Sequence, residues 1–150
     1  MPQSFCQVYI HLIFSTKQRH RWLDDTIRSR VHAYLATLAR DQGCPYVVVG
    51  GPDDHAHVLA DLGKSVLPVD LVGRLKQESS KFVKTLGTDY VDFYWQTGYG
   101  MFSVGPTRVA AVKAYIEGQC EHHRRQSFRE EFRAFLDRYD IVYDEKYVWD

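Results

Sequence analysis

The stretch from Pro45 to Asp61 leaves this chain few choices. Pro45-Tyr-Val-Val-Val-Gly50 is dense in β-branched residues, Gly50-Gly51-Pro52-Asp53 is a turn sequence, and Asp54-His55-Ala56-His57-Val58-Leu59-Ala60-Asp61 then alternates polar with apolar side chains. Two strands joined by so short a turn pair antiparallel, so the segment predicts a β-hairpin. Successive side chains of a strand take opposite faces, which puts His55 and His57 on one face and Ala56 and Val58 on the other. Two neutral imidazoles on one rigid face are half of a transition-metal site, although the same spacing also suits a solvated face.

The flanking segments supply the rest of a sheet. Phe5–Ser15 reads as a central strand with Cys6, Val8, Ile10, Leu12 and Phe14 on one face. Asp24 or Asp25 then caps a helix carrying Ile27, Val31, Tyr34, Leu35 and Leu38 at helical spacing, and Gly43 ends it. A second helix is expected from Pro68 to Leu86, burying Val72, Leu75, Ser79, Phe82 and Leu86. Asp92–Val104 is strand-like but interrupted by Gly98 and Gly100, which mark a bulge, a bend or the close approach of another group. Gly105 and Pro106 open a third helix to about Arg125, and Ser127 with Glu130 has capping-box spacing for a fourth that buries Phe128, Phe132, Phe135 and Leu136. The order β-α-β-β-α-β followed by two helices predicts an α+β fold: a ferredoxin-like split βαβ antiparallel sheet with a C-terminal helical extension. In that topology the first and third strands are central neighbours, which puts the histidines mid-sheet.

Composition narrows the class. With 150 residues and 45% hydrophobic content, one domain with its own core is expected, its body spanning about 5–136 and an acidic, aromatic tail 137–150. That tail, with Tyr139, Tyr143, Tyr147 and Trp149, is read as a strand-like cap or a dimer contact. No run of about 18 apolar residues and no signal peptide is found, so the expectation is a cytoplasmic protein without a membrane span. Cys6, Cys44 and Cys120 have no Cys-x-x-Cys spacing and are expected to be reduced, mostly buried thiols. The charge is balanced, 19 basic against 19 acidic residues, but the tail holds five acids and two bases, so the body is weakly positive. Basic side chains gather in Lys17-Gln18-Arg19-His20-Arg21 and along the second helix at Arg74, Lys81 and Lys84, as a solvated face or as a phosphate track. On the third helix Tyr115, Gln119 and His122 project from one face.

Taken together, Tyr9-Ile-His-Leu-Ile-Phe-Ser-Thr-Lys17, His55-Ala-His57, Leu71-Val-Gly-Arg-Leu-Lys76, Trp95-Gln-Thr-Gly-Tyr-Gly100 with Phe102-Ser-Val104, and Tyr115-Ile-x-x-Gln119-x-x-His-His123 are distinctive. In this order and spacing they resemble the motif series of the single-tyrosine HUH transposases of the insertion sequence 200/605 family, over about Tyr9 to Leu136. The resemblance implies an enzyme that cleaves and rejoins single-stranded DNA folded into hairpins, through a covalent 5′-phosphotyrosine and a divalent metal, Mg²⁺ or Mn²⁺. It makes Tyr115 the nucleophile, His55 and His57 metal ligands, and Gln119 the third ligand. Lys17, Arg19, Arg21, Arg74, Lys76, Lys81, Lys84, His122 and His123 become the DNA-contacting set. It also implies a homodimer that exchanges the tyrosine helix, with Gly105 as hinge, so that Tyr115 would complete the partner's site. Ala60-Asp61-Leu62-Gly63 departs from the pattern, since a more apolar run is expected there. Two other readings stay open: a replication or relaxase-type HUH nuclease, and a domesticated, non-cleaving protein that binds single-stranded nucleic acid.

Overall fold

A computed structural model describes residues 2–119, 126–146 and 148–149. Its strands are β1 (Tyr9–Ser15), β2 (Tyr46–Gly50), β3 (His55–Asp61) and β4 (Gly100–Val104). The helices are α1 (Arg28–Asp41), α2 (Pro68–Lys84), α3 (Val109–Glu117) and α4 (Phe128–Arg138). The strands form one antiparallel sheet in the order β2-β3-β1-β4, the split βαβ arrangement expected, with β1 and β3 at its centre.

Each face of the sheet is covered, and the alternation along the strands decides by what. Ile10, Leu12 and Phe14 of β1 pair with Ala60, Val58 and Ala56 of β3 and pack with Val31 and Leu35 of α1 and Leu71 and Leu75 of α2. The opposite face carries His11, Ile13 and Ser15 beside Leu59, His57 and His55. There Ile13 and Phe102 pack against Phe128, Phe132 and Leu136 of α4. The helix starts follow from local chemistry. Asp24 Oδ1 accepts the N–H groups of Thr26 and Ile27 just ahead of α1, and Ser127 Oγ accepts the Glu130 N–H at 3.3 Å, as a capping box does.

Several boundaries differ from the sequence expectation. β1 begins at Tyr9, and Phe5 and Cys6 are exposed, whereas Cys44 is buried and Cys120 lies outside the described residues. The strand expected over 92–104 is only Gly100–Val104. Residues 92–99 keep only an isolated bridge between Trp95 and Thr16, with the Gln96 N–H donating to the Ser15 carbonyl, and are otherwise held by side chains: the Ser15 N–H donates to Gln96 Oε1 at 2.6 Å, Trp95 Nε1 donates to Ser79 Oγ, and Lys76 Nζ donates to the carbonyls of Gln96, Thr97 and Gly98. Gly100 marks a close approach, since a Cβ there would sit 2.4 Å from Phe132 Cε2. Phe82 is half-buried, stacked on Tyr34 with ring centroids 4.2 Å apart, and Val83 takes the buried position. The third helix is described as far as Glu117, and its expected continuation over 120–125 lies outside the described residues.

The tail is a cap on its own chain and, among the described residues, contains no strand. Tyr139 Oη donates to the Ser103 carbonyl and its ring stacks on Phe102. Trp149 lies against Phe128 and Phe132 beneath the guanidinium of Arg133, which is bidentate to Glu145 at 2.9 and 3.0 Å. No helix among the described residues is long and apolar enough to cross a membrane.

Candidate metal centre and nucleophile

The central strands and α4 build the site together. The register sets Ser15 opposite His55 and Ile13 opposite His57, so both imidazoles leave the middle of the sheet toward α4. Glu131 of α4 meets them there. Its Oε1 lies 3.2 Å from His55 Nε2 and 3.1 Å from His57 Nε2, and all three residues are buried. His55, His57 and Glu131 each offer one ligand atom within 4.8 Å of the others, an arrangement able to hold a metal ion.

The outer ring nitrogens are also engaged. His55 Nδ1 is 2.7 Å from Asp54 Oδ1; a carboxylate only accepts, so Nδ1 carries the proton and Nε2 is the coordinating nitrogen of the neutral ring. His57 Nδ1 is 2.8 Å from His11 Nε2, a contact in which either ring can be the donor. When His57 donates, both Nε2 lone pairs and a carboxylate oxygen converge on one point. Such a donor set fits a divalent metal, with the outer-shell support that ligating histidines commonly have.

The phenol enters from α3. Tyr115 Oη donates to Glu131 Oε2, and the Tyr115 ring lies 5.9 Å from that of His57 and 6.4 Å from that of His11. Gln119 is one step further out: its Nε2 donates to the same Oε2 at 3.3 Å, and its buried Oε1 has no partner among the described residues. Tyr115 thus reaches the histidines of its own chain. Gly105, at φ −66° and ψ 149°, has ordinary extended backbone.

Electrostatics follow from this packing. Burial, then the negative charge of Glu131, push the Tyr115 phenol above its usual range, while the Arg138 guanidinium pulls it the other way. Burial alone would lower the pKa of His55, but hydrogen bonds and charge from Asp54 and Glu131 raise it. His11 is held near 3 by burial and by His57, with Glu131 opposing. Native His11 therefore stays neutral while the unfolded chain protonates near pH 6.5. Its contribution to stability is fully present above that pH and is lost as pH falls toward about 3. Urea unfolding of the chelated protein at pH 7, 6 and 5 is expected to show this decline. The slope should be shallower by about 1 kcal/mol per pH unit over this range in His11→Gln, approaching ~1.4 at its acid end; parallel slopes would show that His11 does not carry the effect.

Sequence reasoning missed Glu131 and His11. A usable signal was present for the first, because Glu131 interrupts the apolar face formed by Phe128, Phe132 and Phe135. His11 is one place out of step with the apolar face of its strand, the same kind of signal. Of the expected DNA-contacting residues, Lys17 and Lys84 converge on the exposed ring of Tyr94, with Nζ 6.0 and 4.3 Å from its centroid. Arg19 has a positive φ of 57° and feels both Asp54 and Arg129, and Arg21 is 3.9 Å from Asp53. Arg74 and Lys81 are exposed on α2, Lys81 beside Glu78. Lys76 is spent on three carbonyls, and burial lowers its pKa to about 8, so it anchors a loop. His122 and His123 lie outside the described residues. Asp61 has a structural task, accepting the Val8 N–H at 3.1 Å.

Comparison with known proteins bears on what such a site belongs to. The family model described as transposase IS200 like matches residues 4–119. The chain belongs to that family. This IS200-like transposase shares its fold with a protein of Deinococcus radiodurans R1 assigned as a transposase, at 24% identity and a TM-score of 0.62, over 79% of this chain and 98% of that one. It is also similar to a REP-associated tyrosine transposase solved bound to a REP hairpin, at 10% identity and a TM-score of 0.58, over 82% of this chain and 73% of that one. No curated protein matches the sequence. Family membership favours the transposase over the relaxase-type reading.

Proposed function

We propose that this transposase cleaves and rejoins single-stranded DNA at hairpin-bearing element ends through a 5′-phosphotyrosine on Tyr115. The observation that carries the reading is the convergence of Tyr115 Oη and the two histidine Nε2 atoms on the single carboxylate of Glu131. His55, His57 and Glu131 Oε1 would hold a divalent ion, Mn²⁺ or Mg²⁺, with Gln119 steadying the carboxylate from the other side. Bound there, the ion supplies Lewis-acid stabilisation of charge on a phosphate oxygen. The chain's own groups do the rest. Glu131 Oε2 takes the phenolic proton, Tyr115 Oη forms the new P–O bond, and the bond to the 3′-oxygen breaks, that oxygen recovering the proton from Glu131. The 3′-hydroxyl of another strand reverses these steps and joins the ends. Lys17, Arg19, Arg21, Arg74, Lys81 and Lys84 contribute phosphate contacts outside the site.

A two-fold dimer belongs to the proposal. Ala110, Ala111 and Ala114 of α3 are exposed and apolar, a surface a second copy could cover; a monomer by light scattering that cleaves at full rate would remove it. The central test incubates protein and Mn²⁺ with single-stranded oligonucleotides from both flanks of the gene and resolves adducts on a denaturing gel. A covalent adduct is expected with wild type and none with Tyr115→Phe. Hairpin binding without any wild-type adduct would instead favour the domesticated, non-cleaving protein.

A further inference from the structure

A pocket of about 360 Å³ opens beside Tyr115 and Glu131, between α3 and α4. Its wall includes Val112 and Phe135, and its lining includes two arginines from different elements, Arg108 just ahead of α3 and Arg138 at the end of α4. Among the described residues neither arginine has a carboxylate within ion-pairing distance. The Arg138 guanidinium lies 5.5 Å over the Phe135 ring, within reach of whatever enters. The one acid in the lining among the described residues, Glu131, is bonded to Tyr115 and faces both histidines. Two cations over an apolar, aromatic floor make a cradle for an anion that carries a flat ring, and the volume falls in the roughly 300–1,000 Å³ range of small-ligand sites.

We infer that this pocket takes the nucleotide on the 3′ side of the cleavage point, the one whose 5′-phosphate becomes bonded to Tyr115. Arg108 and Arg138 contact its phosphates, and Val112 and Phe135 take its sugar and base. The inference rests on the reading of Tyr115 as nucleophile. It explains why the pocket adjoins the phenol: the nucleotide that stays covalently attached must be retained while a second strand arrives. Arg108 and Arg138 are positioning residues here, holding the phosphate in line with the phenol.

Two arms keep the pocket and the reading of Tyr115 separable. In the first, Tyr115→Phe protein is titrated calorimetrically with the four 5′-deoxynucleoside monophosphates and, as controls, the nucleosides lacking phosphate. Saturable binding is expected for the monophosphates, at least about tenfold weaker after Arg108→Ala or Arg138→Ala and partly restored by Arg138→Lys. In the second, adduct yield from flanking single-stranded DNA should fall at least about tenfold in both alanine variants while hairpin binding holds within about twofold. Circular dichroism melting of each variant guards against loss of fold. No monophosphate binding, or binding indifferent to both arginines, overturns the pocket even if wild type forms a normal adduct. Arginine-dependent binding with no wild-type adduct would make this a free-nucleotide site and sink the strand-bound assignment together with the reading of Tyr115.

Discussion

Glu131→Gln is expected to weaken Mn²⁺ binding on the order of 100-fold and to abolish the covalent adduct. Glutamine keeps the size of the side chain and an acceptor for Tyr115 Oη but removes the negative charge that two buried Nε2 atoms face at 3.1 and 3.2 Å. Outer-shell partners of a metal site already cost roughly 10–100-fold when removed, so a direct donor should sit at or above the top of that range. Gln119→Ala removes only the amide that holds the far oxygen of Glu131 at 3.3 Å, and about tenfold is expected for it. Calorimetry with Mn²⁺ measures both directly. Thermal melting offers a second readout, since a 100-fold weaker ion forfeits ~2.7 kcal/mol of binding-linked stability at saturating metal. The chelated Glu131→Gln protein is itself expected to be less stable than chelated wild type, since removing one partner of a buried charge pair costs roughly 3–5 kcal/mol, so the metal-linked loss is read as the difference between loaded and chelated melts. The reverse ranking, with Gln119→Ala the more damaging, would assign the third donor to Gln119.

How far the sequence reached can be read from where that donor lies. His55 and His57 declared themselves, because strand alternation alone puts them on one face, and hairpin and helix signals supplied enough order to place β3 beside β1. Tyr115 and Gln119 were legible for the same local reason, a shared helix face. Glu131 was not, since nothing local links it to His57; only the folding of α4 over the sheet brings them together, and the family match itself ends at residue 119. The same holds elsewhere. Lys76 is a DNA contact by resemblance alone, and only the folded chain shows it donating to the carbonyls of Gln96, Thr97 and Gly98, just as it shows Asp61 accepting the Val8 N–H. Periodicity reports which face a side chain takes, and it is silent about what another element brings to that face.

Gly50→Ala carries the second large effect, on both fold and chemistry. Gly50 ends β2, pairs in register with His57, and is buried. A Cβ at this position would lie 2.7 Å from Ile116 Cγ2 and 2.7 Å from the Ile116 carbonyl oxygen. A side chain can turn away from such a contact, whereas the backbone oxygen of α3 can relieve it only if the helix itself shifts. Overpacking of this kind costs roughly 1–3 kcal/mol. Ile116 adjoins Tyr115, so the shift moves the phenol relative to Glu131 and His57, and a misplacement near 1 Å can cost on the order of 100-fold in rate. Gly73→Ala is the matched control: its Cβ would meet nothing within 4 Å, and in the interior of α2 it should stabilise by about 0.5–1 kcal/mol. Urea midpoints and adduct-formation rates for the two variants then separate the effects. A Gly50→Ala protein that unfolds earlier yet forms adduct at the wild-type rate would mean that β2, and not the tyrosine helix, gives way.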